Sequence, residues 1–328
     1  MDLSIVIPVY NEVENVEPLC EKLHASLSAL GRTYEIVLID DGSTDGSWEK
    51  LLGLAKRYPH LRLIRLRANF GQTAAMSAGF RESTGDIVIT MDADLQNDPA
   101  DIPALLKRME EGFDVVSGWR RHRKDPWLRR RVPSMMANGL ISKITGVALH
   151  DYGCTLKAYR REVIRDVHLY GEMHRFIPAL ASWVGGSVDE VEVTHHPRLH
   201  GKSKYGLSRT VRVILDLLTV KFLLRYSKGP MQIFGKFGLA FGVPGFLLLL
   251  FMAGAHLPYL LFNIDYGTAA WLIKRPLWIM TALFLMFCGI QFICMGLLAE
   301  IQIRTWHESQ NKPVYVIREI VMSSQVSG

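Results

Sequence analysis

Asp92 and Asp94 are the residues best placed to do chemistry in this chain. They follow the apolar run at 86–91, and residues two apart on a strand point to the same side. Two carboxylates so placed can share a divalent cation, which in turn grips a pyrophosphate. Mg2+ favours one or two carboxylates with phosphate oxygens and water completing its octahedron, and Mn2+ is the alternative expected here. Gln96 is positioned as a further contact to the metal or the phosphate. A D-x-D alone is common on solvated loops, so its place directly after a buried strand is what gives it weight.

Two other turns belong beside it. Pro8-Val9-Tyr10-Asn11-Glu12 follows one apolar run and Asp40-Asp41-Gly42-Ser43 another. Tyr10 offers a ring on which a base can stack, and a strand-end carboxylate can accept from a base N–H or a ribose hydroxyl. Taken singly, each is ordinary turn chemistry. Taken together with the D-x-D at one sheet edge, they make a nucleotide site.

Basic residues form a third group. Arg120, Arg121, Arg123, Lys124, Arg129, Arg130 and Arg131 crowd one segment, and Arg198, Lys202 and Lys204 another. Arginine is the side chain suited to phosphate. Arg123, Lys124, Arg129 and Arg130 are read as facing anionic lipid. The net charge of +6 fits phosphorylated ligands and a membrane surface, and nucleic acid is not expected as a partner.

The elements that must position these residues are legible in the first half. Apolar runs at 3–9, 35–39, 86–91 and 114–117, and a stretch at 61–66 that interleaves apolar and basic residues, alternate with helical patterns at 16–30, 47–57, 73–81 and 99–111. That alternation predicts an α/β fold with a mostly parallel sheet covered on both faces. Ligands bind such sheets beyond the carboxyl ends of the strands, where segments 8–12, 40–45, 92–96 and 118–123 fall.

The chain is 49% hydrophobic, and the surplus lies after Phe234. Segments 237–262 and 276–299 are each long and apolar enough to cross a bilayer, which takes about 20 residues. Segment 209–226 is amphipathic at helical spacing, leaving an interfacial helix and a core helix equally open. The expected organisation is a nucleotide-binding domain at 1–208, an amphipathic juxtamembrane segment at 209–233, two membrane helices at 234–301 and a cytoplasmic tail at 302–328. Met1-Asp2-Leu3-Ser4 opens without a basic n-region, so the first domain is expected to stay cytoplasmic, on an inner (plasma) membrane. The four cysteines form no C-x-x-C pair and suit a reducing compartment. Cys154 is expected to be a packed residue, and His195 and His196 to close a strand.

The strings IVIPVYNE, LIDDGSTD, NFGQTAAMSAGF, DADLQNDP, DYGCTLKAYRR and HGKSKY resemble family 2 glycosyltransferases of the Rossmann-like GT-A fold. Within them, the chain is similar to polyprenyl-phosphate glycosyltransferases, the group that holds dolichyl-phosphate mannose synthases and bacterial undecaprenyl-phosphate sugar transferases. DYGCTLKAYRR and QFICMGLLAE are most similar to undecaprenyl-phosphate 4-deoxy-4-formamido-L-arabinose transferases. The resemblance implies that Pro8, Tyr10, Glu12 and Asp41 hold the nucleotide, and that Asp92, Asp94 and Gln96 hold metal and diphosphate. Arg120, Arg131, Arg198 and Lys202 would bind the acceptor phosphate. It implies inverting transfer of one sugar, from a UDP-sugar before others, to undecaprenyl phosphate at the cytoplasmic face for cell-envelope glycan modification, by a homo-oligomer, often a tetramer. Processive relatives carry Q-x-x-R-W, whereas Gln302-Ile-Arg304-Thr-Trp306 has other spacing, which favours single-sugar transfer. The alternatives are use of GDP-mannose in the manner of dolichyl-phosphate mannose synthases, a lipid hydroxyl acceptor, and a non-catalytic nucleotide-sugar-binding scaffold.

Overall fold

The computed structural model describes residues 1–121, 132–165, 167, 169, 173–197, 231–262, 276–309 and 315–323. The chain forms two units, Met1–Leu224 with Pro313–Gly328, and Arg225–Lys312.

The first unit is built on a mixed sheet. Its strands are β1 (Leu3–Val9), β2 (Tyr34–Asp40), β3 (Leu61–Leu66), β4 (Ile87–Thr90), β5 (Val115–Trp119), β6 (Lys157–Arg160), β7 (Val188–Glu192) and β8 (Ile317–Met322), in the order β7-β5-β6-β4-β1-β2-β3-β8. β4, β1, β2 and β3 run parallel to their neighbours in that series. β6 runs antiparallel to β4 and β5, so β4 and β5 point the same way and the start of β6 lies at their carboxyl ends.

Burial follows the period of two. Ile5, Ile7 and Val9 of β1 enter one core with α1 (Val16–Ser28), α2 (Ser47–Arg57) and α4 (Ile102–Glu110). Val6 enters the other, with α3 (Gln72–Glu82) and α7 (Ile177–Trp183). A strand in mid-sheet with helices on both faces is apolar throughout, which is why β1 and β2 read as unbroken runs. α5 (Val132–Thr145) and α6 (Arg161–Arg165) complete the described helices of this unit.

The segment after the apolar helices returns as β8, antiparallel to the β3 edge. Tyr315 is buried in the second core, and Arg67 donates its backbone N–H to the Val316 carbonyl at 2.9 Å. The strand expected at 35–39 is longer by one residue at each end, and the helix expected at 99–111 begins as a 3-10 turn over Pro99–Asp101.

The second unit is a pair of long helices, α8 (Met231–Phe262) and α9 (Pro276–Ser309). They contain membrane-span candidates of 27 residues (Met231–Leu257) and 24 residues (Pro276–Ala299). Leu247, Leu250, Phe251, Phe284 and Phe287 are all exposed, as a lipid-facing surface requires. The two helices meet at Gly242 and Gly289, where a Cβ on Gly289 would lie 2.6 Å from the Gly242 Cα. Small residues allow such close backbone approach in membrane helices.

Candidate active site

The carboxyl ends of β1, β2, β4 and β5 bring the expected residues to one edge. After β1, the chain turns through Asn11, whose φ is 54°. Asn11 and Glu12 donate backbone N–H groups to Ser43 Oγ (3.0 Å) and Ser47 Oγ (2.9 Å), and Asn11 Oδ1 accepts from Thr44 N at 2.9 Å. The loops after β1 and β2 are thus knitted together. Tyr10 is exposed above them and Pro8 half-buried within β1, while Glu12 also accepts from the Asn15 side chain.

Asp41 ties the β2 loop to the β3 loop. Its carboxylate accepts from the backbone N–H groups of Phe70 (2.8 Å) and Gly71 (2.9 Å). Burial pushes its pKa up to about 6, and those two hydrogen bonds oppose the rise. Gly42, at φ 69°, makes the approach possible, because a Cβ there would stand 2.7 Å from the Ala68 carbonyl carbon. Asp41 thereby fixes the start of α3, and the first residue of α3 is Gln72.

Gln72 Nε2 donates to Asp92 Oδ1 at 2.8 Å. Asp94 is 5% exposed and its Oδ1 accepts from Gln96 N at 3.1 Å. Between them Leu95 has φ 61°. For a bulky residue that backbone is strained by about 1–3 kcal/mol. Asn11 and Leu95 are the non-glycine residues with positive φ among the described residues, and both lie in loops of this edge. No group of three or more His, Cys, Asp or Glu side chains suited to a metal occurs among the described residues. Among the described residues of this edge, the oxygen donors at hand for a cation are the Asp92 and Asp94 pair with Gln96 beside it. That donor set fits a hard cation that takes its remaining ligands from phosphate and water.

Arg120 follows β5 at the same edge. Its Nε and Nη2 grip Asp151 Oδ2 (2.8 Å) and Oδ1 (3.1 Å), and it interacts electrostatically with Asp92. Burial is the largest influence and disfavours its charge, but Asp151, Cys154 and Asp92 together outweigh it and hold the pKa above the ordinary value. Lys157, at the start of β6, is 2% exposed and donates to the Tyr152 carbonyl at 3.1 Å. Burial pulls its pKa down to about 8. Cys154 is buried in the same loop, and its thiol is pushed by burial up to about 11, which keeps it a packed thiol. His195 forms an isolated bridge with Asn97, and His196 Nε2 lies 2.7 Å from Asp98 Oδ2; these contacts tie the segment after β7 to the D-x-D loop.

Arg131, Arg198 and Lys202, together with Arg123, Lys124, Arg129, Arg130, Lys204 and the amphipathic segment 209–226, lie outside the described residues. Gln72, Asp151 and Lys157 are the site neighbours that residue-by-residue reading missed. Their signal is their place inside NFGQTAAMSAGF and DYGCTLKAYRR.

A family model described as glycosyl transferase family 2 matches residues 4–167. The chain is 45% identical over 331 residues to a dodecaprenyl-phosphate galacturonate synthase of Rhizobium johnstonii, covering 98% of this chain and 93% of that protein. It is 39% identical over 324 residues to an undecaprenyl-phosphate 4-deoxy-4-formamido-L-arabinose transferase of Pseudomonas paraeruginosa, covering 98% and 91%. Among solved structures it resembles glucosyl-3-phosphoglycerate synthase of Mycobacterium tuberculosis in complex with Mn2+, UDP and phosphoglyceric acid. That match has TM-score 0.53 at 18% identity and covers 67% of this chain and 78% of that one. The mixed sheet is thus the GT-A architecture that the motifs lead one to expect.

Proposed function

Because this chain belongs to glycosyl transferase family 2 and is a glycosyltransferase, we propose that it transfers a single sugar from a nucleoside-diphosphate sugar, UDP-linked before others, to undecaprenyl phosphate. The observation that carries this reading is the pairing of charge at one sheet edge. The Asp92 and Asp94 carboxylates follow β4, and the Arg120 guanidinium, in the electrostatic reach of Asp92, follows β5. The first group suits a cation on the donor diphosphate, and the second suits an acceptor phosphate. The names of the full-length relatives supply the lipid class.

A phosphate monoester has a second pKa near ~6 and is largely dianionic at neutral pH. The acceptor is therefore already a nucleophile and needs no protein base. Arginine carries five N–H donors, and two of those on Arg120 go to Asp151; the reading assigns phosphate oxygens to the others. The work of Arg120 is to hold the acceptor oxygen in line with the anomeric carbon, which replaces a bimolecular encounter by a positioned one. Tyr10, with the Pro8–Glu12 and Asp40–Ser43 turns, orients the nucleotide. Asp92 and Asp94, with Gln96, would hold a divalent cation, which when bound supplies neutralising charge to the departing diphosphate. One displacement inverts the anomeric centre.

α8 and α9 make the chain a membrane protein, and the reading places the first unit on the cytoplasmic side of an inner (plasma) membrane, where nucleotide-sugars are made. We extend to it the homo-oligomeric, tetrameric assembly implied by the motif resemblance. The test is to incubate the purified protein with UDP-, GDP- and dTDP-sugars in turn, with undecaprenyl phosphate and Mn2+, and to weigh the lipid. A lipid heavier by one sugar supports the reading. Absence of any glycolipid across the panel, with donor still bound, contradicts it.

A further inference from the structure

Arg120 does not stand alone at the β5 end. Among the described residues, its partner is Asp151, which is 2% exposed and engages the guanidinium through both oxygens. Asp151 Oδ1 also accepts from Gly153 N at 3.1 Å, so the carboxylate is fixed by its own loop. That loop reaches the site because β6 runs antiparallel to β4 and β5, and its approach to β5 is close. Gly118 N donates to the Leu156 carbonyl at 2.9 Å, and a Cβ on Gly118 would lie 2.8 Å from that oxygen.

Lys157 completes the arrangement from below. Its ammonium donates to the carbonyl of Tyr152, next to Asp151 in the chain. Its neighbours by charge are Cys154, Asp151, Arg120 and Arg175. Arg175 is carried by the 3-10 turn Met173–Phe176, which is anchored to α3 by the contact of His174 Nδ1 with Thr73 Oγ1 at 2.8 Å. Two cations, Arg120 and Lys157, thus act on one buried carboxylate. A buried lysine is costly in an apolar core, and this one stands opposite Thr90, two residues before Asp92 on β4. Ser117, its neighbour on β5, is fully buried with no hydrogen-bond partner for its Oγ among the described residues.

We propose that Asp151 is a positioning residue of the transfer reaction, which aims the Arg120 guanidinium at the acceptor phosphate, and that Lys157 holds in place the loop that carries Asp151. The bidentate grip fixes both the plane and the direction of the guanidinium. Asp92 lies within electrostatic reach of the same guanidinium. The two contacts are those of an ionised carboxylate, which accepts from both nitrogens of the guanidinium. This inference rests on the acceptor reading given above, and its test separates the two.

The experiment is a double-mutant cycle on the full chain in detergent with undecaprenyl phosphate and the donor found active with the wild type. A wild type that makes no glycolipid refutes the acceptor reading itself. With an active wild type, D151N is expected to raise the KM for undecaprenyl phosphate roughly tenfold or more, since small misplacements of a positioning group are costly. The Kd for the donor's nucleotide, measured by calorimetry, should change by less than about twofold. D151E should restore part of the loss. In an R120Q background D151N should add nothing, because residues that act through one another are not additive. R120Q/D151N also removes both buried charges together, so it is expected to fold even if D151N, which leaves Arg120 uncompensated, does not. Independent, multiplying losses at the two positions would overturn the proposal, as would a D151N enzyme with wild-type acceptor KM. Failure of both D151N and R120Q/D151N to fold would make the pair structural and would also end it.

Discussion

Gln72 donates its side-chain amide to Asp92 across 2.8 Å, from the first turn of α3 to the carboxyl end of β4. The bond orients one carboxylate of the D-x-D, and Gln72 is itself held by the Asp41 tie to Gly71. Groups that orient a metal-binding carboxylate typically matter 10–100-fold in metal affinity or activity. Q72A is therefore expected to raise the Mn2+ concentration for half-maximal transfer by roughly ten- to a hundredfold, with saturating metal restoring much of the rate. A Q72A enzyme with an unchanged metal requirement would separate this bond from the donor site.

Asp94 is buried beside the strained Leu95 backbone, where little solvent reaches its carboxylate to take over its role. D94N is expected to lower turnover by roughly a hundredfold or more while melting within a few degrees of the wild type. EDTA should stop the wild type completely, and Mg2+ or Mn2+ should restart it. Full turnover in EDTA would show that no cation is needed.

β8 carries a consequence for topology. It lies after the two apolar helices yet pairs with β3, within the same unit as residues 1–224. The chain must therefore cross the bilayer an even number of times between them. In a chain whose four cysteines are replaced, K56C and R318C, both at exposed positions, should share one labelling pattern in intact cells. Neither should react with an impermeant maleimide until the membrane is opened. A cysteine in the segment 263–275 should react at once. Opposite labelling of positions 56 and 318 would contradict the shared sheet.

Lys157 gives a stability signature. Its folded pKa is about 8, below the ordinary 10.5. Between those values the unfolded chain binds a proton that the folded chain does not, so stability rises with pH. Below both values the lysine is charged in either state and the cost of burying it is fully present. The groups facing it are Cys154, Asp151, Arg120 and Arg175; Cys154, pushed up to about 11, contributes with the opposite sign where it titrates. The comparison with K157M isolates the lysine. The melting temperature of the wild type should gain on that of K157M as pH rises from about 8 to about 10. A constant gap would show that the lysine keeps its proton throughout.

Much of the first unit is legible in the amino-acid sequence. β1, β2 and β4 read clearly because strands buried on both faces are largely apolar, β3 reads by its alternation of apolar residues with Arg62 and Arg65, and the turns carry the D-x-D and D-D-G-S residues. β6 and β8 do not read, and β7 reads only as the strand that His195 and His196 are expected to close. β6 is only Lys157–Arg160, with a lysine at a fully enclosed position, and charge in a pattern is taken for surface. β7 alternates apolar with acidic residues over Val188–Glu192, and β8 exists only because the distant β3 edge receives it. The same limit explains the site. Asp92, Asp94 and Arg120 announce themselves by type and by position after a strand. Gln72 and Asp151 are ordinary in type, and only the fold brings them 20 and 31 residues across the sequence to their partners.

The central claim is that a sugar moves to a phosphate oxygen of the lipid with loss of the whole nucleoside diphosphate. It is tested most directly by resolving the nucleotide released during a single turnover with undecaprenyl phosphate, alongside the 31P NMR spectrum of the lipid product. The expected result is one nucleoside diphosphate per sugar transferred, a single phosphodiester phosphorus in the lipid and an inverted anomeric centre. Release of a nucleoside monophosphate with a lipid diphosphate in the product would contradict it, because the enzyme would then be moving a phospho-sugar and not a sugar.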